Sequence, residues 1–311
     1  MGFLNMNTRT LLAFLVGLAI VAGFEFLVKD NGSLMYCLTF FIAVSQGPIA
    51  IIAATEIAGT TWAKPYKREL LSVRHMMLFL AGAFVIFLLA GKLHLYTSWM
   101  EGEHHHKWLN PTFFSIRNVV LLLLGWVVAN KYAAESLMES EKKTRWALFW
   151  VFTYVVSQTV FAFDWVMSLD YPWISTLFGG YFFIEAFYSG LALAAVFTFF
   201  HYSDFIKEFT EARFQKAQMD MMTLMFGFSV FWAYLFFSQY LVIWYGNIPE
   251  EVGWMVARVR EFGNLLYLVI LIMFVIPFVT MLFRKVKGNP RAVVFLGALV
   301  WVGLLMERYF M

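Results

Sequence analysis

The chain has 311 residues, of which 61% are hydrophobic, 20% aromatic and only 14% charged, with a formal net charge of +3. A soluble domain carries about 45–50% apolar and about 25% charged residues, so this composition cannot cover a water-facing surface. It excludes a soluble enzyme, a disordered tail and a nucleic-acid binder, and it reads as a polytopic membrane protein. A single cysteine, Cys37, rules out an internal disulfide and any four-cysteine zinc or iron–sulfur site made by this chain alone, and no CxxCH haem-attachment motif occurs.

Nine apolar stretches follow one another along the chain, near residues 8–28, 34–58, 74–96, 113–133, 146–168, 177–201, 219–245, 263–283 and 292–309. Each matches the ~20 residues a helix needs to cross ~30 Å of hydrocarbon. They are too long, and too apolar on every face, for barrel strands of about 10 alternating residues. The predicted class is therefore all-α. The first stretch exceeds the ~7–15-residue core of a signal peptide and lacks a small-x-small site before Lys29, so it is expected to remain as a membrane helix. Gly47-Pro48 and Pro277 are candidate helix breaks within the second and eighth stretches.

Lysine and arginine set the predicted orientation. With the N-terminus inside, the inner segments hold 16 of them and the outer segments 7, Arg117 and Arg308 among the latter, and the bias alternates at every loop. Trp62 and Tyr66, Tyr96 and Trp99, Tyr171 and Trp173, and Trp244 and Tyr245 flank the stretches where an interfacial aromatic belt would lie. After the seventh stretch, Asn247 is the expected N-cap of a short surface helix, with Pro249 at its first turn and Glu250 three residues beyond the cap.

Ionisable side chains within the membrane cost about 2.5–3.5 kcal/mol at mid-depth, so each calls for a reason. Glu185 stands out, eight residues into the sixth stretch and hence roughly 12 Å deep at 1.5 Å per residue. Together with Asp164, His94 and Gln239, and with Lys92 at the end of the third stretch, it defines an expected outer half-channel for protons. Glu56, His75 and Arg74 define an inner one. The competing reading is structural: an ion pair such as Glu185 with Lys92, or snorkelling of residues near the ends. His75, His94 and His201 all sit at stretch ends, so no facing histidine pair for haem is expected, and the run Glu101 to His106 reads as a polar outer loop rather than a metal site. No Gly-rich phosphate loop, GxSxG or HExxH occurs.

The strings FDWVMSLDYPWISTLFGGYFF (163–183) and FGFSVFWAYLFFSQYLVIWYGNIPEE (226–251) resemble signatures of the ActF family, NrfD-like membrane subunits of the bacterial alternative complex III. LNPTFFSIRNVVLLLLGW (109–126) resembles the same family, and EIAGTTWAKPYKRELL (56–71) does so more loosely. The resemblance implies two four-helix bundles, residues 34–168 and 169–311, with residues 1–33 forming a peripheral helix. It also implies a quinol:cytochrome c oxidoreductase in the bacterial inner membrane. There this subunit would hold no cofactor and serve as a candidate proton conduit. Its partners would be a homologous quinol-site subunit, an iron–sulfur subunit and haem c subunits, with menaquinone or another quinol as reductant. Family members carry a tenth span, for which this sequence has no counterpart after GLLMERYF. A subunit with its own quinol site and a free-standing secondary transporter are the alternatives.

Overall fold

Away from water, every backbone N–H and C=O of a spanning segment must find its partner within the protein, and a helix does this inside a single run of chain. The computed structural model describes residues 8–27, 32–100 and 107–311, and these contain no strand. Among the described residues nine helices are long and apolar enough to cross a membrane: α1 (Thr8–Leu27), α2 (Ser33–Ile57), α3 (Lys64–Leu89), α4 (Pro111–Leu137), α5 (Lys143–Asp170), α6 (Leu177–Phe200), α7 (Glu211–Gly246), α8 (Pro249–Met281) and α9 (Pro290–Phe310). The chain is a multi-pass, all-helical membrane protein. Below, the end where α3, α5, α7 and α9 begin is the basic end, and the other is the far end.

Several ends differ from the expected ones. Gly91 adopts a left-handed φ of 73°, which side chains disfavour, so α3 stops at Leu89 rather than near residue 96 and the chain turns into a short 3-10 segment, Lys92–Leu95. Asn247 is not an N-cap. Its φ of 48° and ψ of 37° make it the left-handed cap that closes α7, a conformation its short polar side chain tolerates. The N-cap of α8 is Ile248, in an extended conformation, ahead of Pro249. The expected surface helix is the first part of α8, bent away from the spanning part at Phe262, where φ is −121° and ψ is 19°.

The packing forms two closed rings, α2–α3–α4–α5 and α6–α7–α8–α9, while α1 packs against α3. The rings meet chiefly where α2 crosses α6. A Cβ added to Gly47 would lie 1.7 Å from the Ala186 carbonyl oxygen, and one added to Gly190 would lie 2.6 Å from the Gly47 carbonyl carbon. Small residues here let two backbones touch. Gly47 therefore serves contact rather than a break, and α2 runs continuously through Pro48.

At Pro277 the helix is disturbed, with a π-turn over Leu271–Val275 just before it. Pro277 has no N–H to give to the Met273 carbonyl four residues back. Tyr188 Oη, from α6, supplies the missing donor at 3.0 Å.

The aromatics divide between core and periphery. Tyr66, Tyr96, Trp99 and Trp173 are buried packing residues rather than belt residues, whereas Trp244 and Tyr245 are exposed as a belt requires.

Candidate functional site: buried ion pairs in two helical bundles

In the first bundle the site is built on the start of α4. The Asn110 side chain accepts hydrogen bonds from the backbone N–H of Thr112 and Phe113, at 3.0 and 3.2 Å, and fixes the helix entry. Arg117 and Asn118 then face α5, whose π-turn over Ala162–Val166 carries Asp164. Arg117 grips Asp164 with two donors, Nε to Oδ2 and Nη2 to Oδ1, both at 2.6 Å. Asn118 Nδ2 donates to Oδ2 at 2.7 Å and Trp108 Nε1 to Oδ1 at 3.3 Å. Four donors on one fully buried carboxylate form a satisfied, charge-assisted lock.

In the second bundle, Arg308 of α9 places Nη2 2.7 Å from Oε2 of Glu185 on α6. Its guanidinium lies 3.9 Å from the centre of the Phe182 ring. The adjacent Glu307 accepts a hydrogen bond from Tyr181 Oη. All four polar residues are buried, with Glu185 only 1% exposed. Here the carboxylates outnumber the guanidinium, and Glu307 Oε2 and the Ser189 hydroxyl, one turn from Glu185, have no hydrogen-bond partner among the described residues. This cluster is less saturated than the first.

At the basic end, Glu56 accepts from Tyr132 Oη at 2.8 Å and Ser136 Oγ at 2.7 Å and pairs with Lys67 at 2.7 Å. Lys67 also reaches Glu139, at 2.7 Å, which in turn bonds Lys143. In the loop after α4, the Lys143 and then the Lys67 hydrogen bonds hold the Glu139 carboxyl down at about 2.

The expected half-channels are not assembled as drawn from the sequence. Asp164 and Glu185 lie in different bundles, each with its own arginine, and neither bonds His94 or Gln239. Gln239 accepts from Ser175 Oγ at 2.8 Å, and exposed His94 places Nδ1 2.9 Å from the Gly91 carbonyl. The alternative pair of Glu185 with Lys92 is also absent: Lys92 lies 3.4 Å from Glu25, tying α1 to the 3-10 segment that follows α3. Lys92 is buried rather than snorkelling. At the basic end, Glu56 pairs with Lys67, while Arg74 donates to Asn130 at 3.1 Å; His75 joins neither. The run Glu101 to His106 and Lys29 lie outside the described residues.

Arg117 and Arg308 count as loop charges in the sequence reading but are buried at 9% and 5% exposure. Glu307, Tyr181, Asn118, Trp108 and Lys67 are further members that sequence reasoning missed. The available signal was the position of Arg117-Asn118 and Glu307-Arg308 directly against apolar runs. No family model and no curated protein matches the chain.

Proposed function

We propose that this chain is an integral membrane subunit of a quinol-oxidising respiratory complex of the alternative complex III type. In this reading it scaffolds the assembly and moves protons, and redox cofactors reside in the iron–sulfur and haem c partners. The assignment to that complex rests on the sequence resemblance, as do the bacterial inner membrane and the cytoplasmic N-terminus. The observation that carries the proton role is the Tyr181–Glu307–Arg308–Glu185 cluster, a run of ionisable groups deep in an otherwise apolar bundle. A carboxylate that can exchange a proton with its neighbours, at that depth, supports transfer rather than packing alone.

The mechanism would load Glu185 and Glu307 from the far end and pass the proton toward Ser189 and the basic end. The Asp164–Arg117 lock would hold the first bundle's geometry. Glu56 with Lys67 would sit at the basic mouth.

Two experiments test this. A tagged chain purified in mild detergent should bring haem c and iron–sulfur spectra with it; a colourless protein alone would remove the complex assignment and favour the transporter. In the complex, Glu185→Gln should lower proton release per quinol oxidised while binding of partners persists. Full quinol oxidation with full proton release in Glu185→Gln would remove the proton role.

A further inference from the structure

The sequence sets how α2 ends at the basic end. Gly59 takes a left-handed φ of 67°, the Thr60 N–H reaches back to the Thr55 carbonyl at 2.9 Å, and the Gly59 N–H bonds the Glu56 carbonyl at 3.2 Å. This turn carries Thr61 and Lys64 to the wall of a cavity of about 240 Å3. They share that wall with the Glu56–Lys67 pair and with Glu139 and Lys143 from the turn between α4 and α5.

What this wall has left to offer is donors. Its carboxylate oxygens are already met, those of Glu56 by Tyr132, Ser136 and Lys67 and those of Glu139 by Lys67 and Lys143. Lys67 uses its three donors on Glu56, Glu139 and the Ser136 carbonyl, the last at 2.6 Å. Lys143 gives one donor to Glu139 and keeps two. The exposed Lys64 ammonium and the Thr61 hydroxyl have no ion pair or hydrogen-bond acceptor among the described residues. Three ammoniums face two carboxylates, so the wall also carries one positive charge over. An occupant with negative charge and several acceptor oxygens meets both conditions, and lysine holds phosphate in this way, as a point charge. The site lies where α2 ends at Ile57 and α3 begins at Lys64, at the edge of the membrane. Basic pockets between membrane helices hold anionic lipid head groups by the same means.

We propose that this cavity binds an anionic phosphate group, borne either by a lipid head group of the adjoining leaflet or by free phosphate. Lys64 and Lys143 hold its oxygens, and the Thr61 hydroxyl donates a further hydrogen bond. Lys67 stays between the two carboxylates and keeps both paired while the anion is bound. The inference rests on the cavity alone and holds whichever assembly the chain belongs to. Its consequence is mechanical, because Lys64 opens α3 and Lys143 opens α5. One bound anion ties the starts of both helices together and stabilises the folded chain by mass action.

The test uses the full chain in detergent with two probes. Thermal melts over a series of inorganic phosphate concentrations, at matched ionic strength, give an apparent Kd for free phosphate. Native mass spectrometry after adding phosphatidylglycerol or phosphatidylcholine to the micelles gives one for each lipid. A saturable rise in Tm assigns the site to free phosphate, and retention of phosphatidylglycerol over phosphatidylcholine assigns it to a lipid head group. In whichever arm binds, Lys64→Glu should raise the apparent Kd at least about tenfold, a loss that corresponds to about 1.4 kcal/mol. Lys64→Gln should raise it less, and being exposed and without an acceptor, Lys64 can be replaced without disturbing the fold. Lys285→Gln removes an exposed lysine of the same end that lies outside the cavity, and should leave Kd unchanged. Equal weakening by Lys64→Gln and Lys285→Gln overturns the proposal, by assigning the effect to the diffuse charge of the basic end. So does a melt without saturable phosphate dependence together with equal retention of the two lipids.

Discussion

Replacing Asp164 with alanine should be among the most damaging single changes to this protein, and the reason lies in what it leaves behind. The substitution removes the acceptor of both Arg117 donors at 2.6 Å, and of Asn118 at 2.7 Å, without offering them water. Arg117 is only 9% exposed, so its charge would be stranded. Breaking a buried pair from one side costs about 3–5 kcal/mol, while replacing both partners with apolar residues of similar volume is often neutral or stabilising. At ~2–4 °C per kcal/mol for chains of a few hundred residues, Asp164→Ala should lower Tm by about 6–20 °C. The double variant Arg117→Met, Asp164→Leu should recover most of that loss. Thermal unfolding in detergent, followed by circular dichroism and by loss of the monodisperse chromatographic peak, measures both. A single variant within about 1 kcal/mol of the parent, or a double variant no better than the single, would refute the lock.

Three further outcomes are expected. Gly47→Leu puts a Cβ 1.7 Å from a backbone oxygen that cannot rotate away, so it should exceed the ~1–3 kcal/mol of ordinary overpacking and abolish monodisperse protein on gel filtration. Tyr188→Phe leaves the Met273 carbonyl without its donor and should destabilise by about 1–3 kcal/mol in the same melts, with little change in shape. The Glu139 carboxyl, held at about 2 in the folded state against an ordinary value near 4.5, contributes stability above that ordinary value and loses it as pH falls toward 2. Because Glu139 is 55% exposed, solvent screening keeps the contribution to about 0–1 kcal/mol, and Glu139→Gln should narrow the difference between melts at pH 6 and pH 2.5 by no more than that amount.

The number and kind of the helices were readable in the chain because an apolar run of spanning length has few other ways to satisfy its backbone. Helix ends were less readable where backbone geometry outweighed composition. Asn247 carries the residue type of an N-cap but takes the left-handed conformation that ends a helix, and asparagine serves both roles. Glu185 could be singled out by depth alone, yet its partner could not. Arg308 is 123 residues away in sequence on α9, and hydropathy gives no information about which helices touch. The same holds for Arg117. A charge count treats it as a loop residue, whereas the start of α4 at Pro111 draws it two turns into the bundle. Lys67 escaped notice as the Glu56 partner for the opposite reason, since it sits among other basic residues that look like a solvated inner loop.

The crossing of α2 and α6 has a mechanical meaning. Where Gly47 and Gly190 bring two main chains together, the protrusions that would resist turning are missing, but the carbonyls that would collide on sliding are present. The seam is also tied at both ends, by the Tyr66–Thr198 hydroxyl pair at 3.0 Å near the basic end and by Tyr36 Oη donating to the Leu305 carbonyl at 2.9 Å near the far end. Such a contact behaves as a rivet, which fixes where the two halves sit along one another.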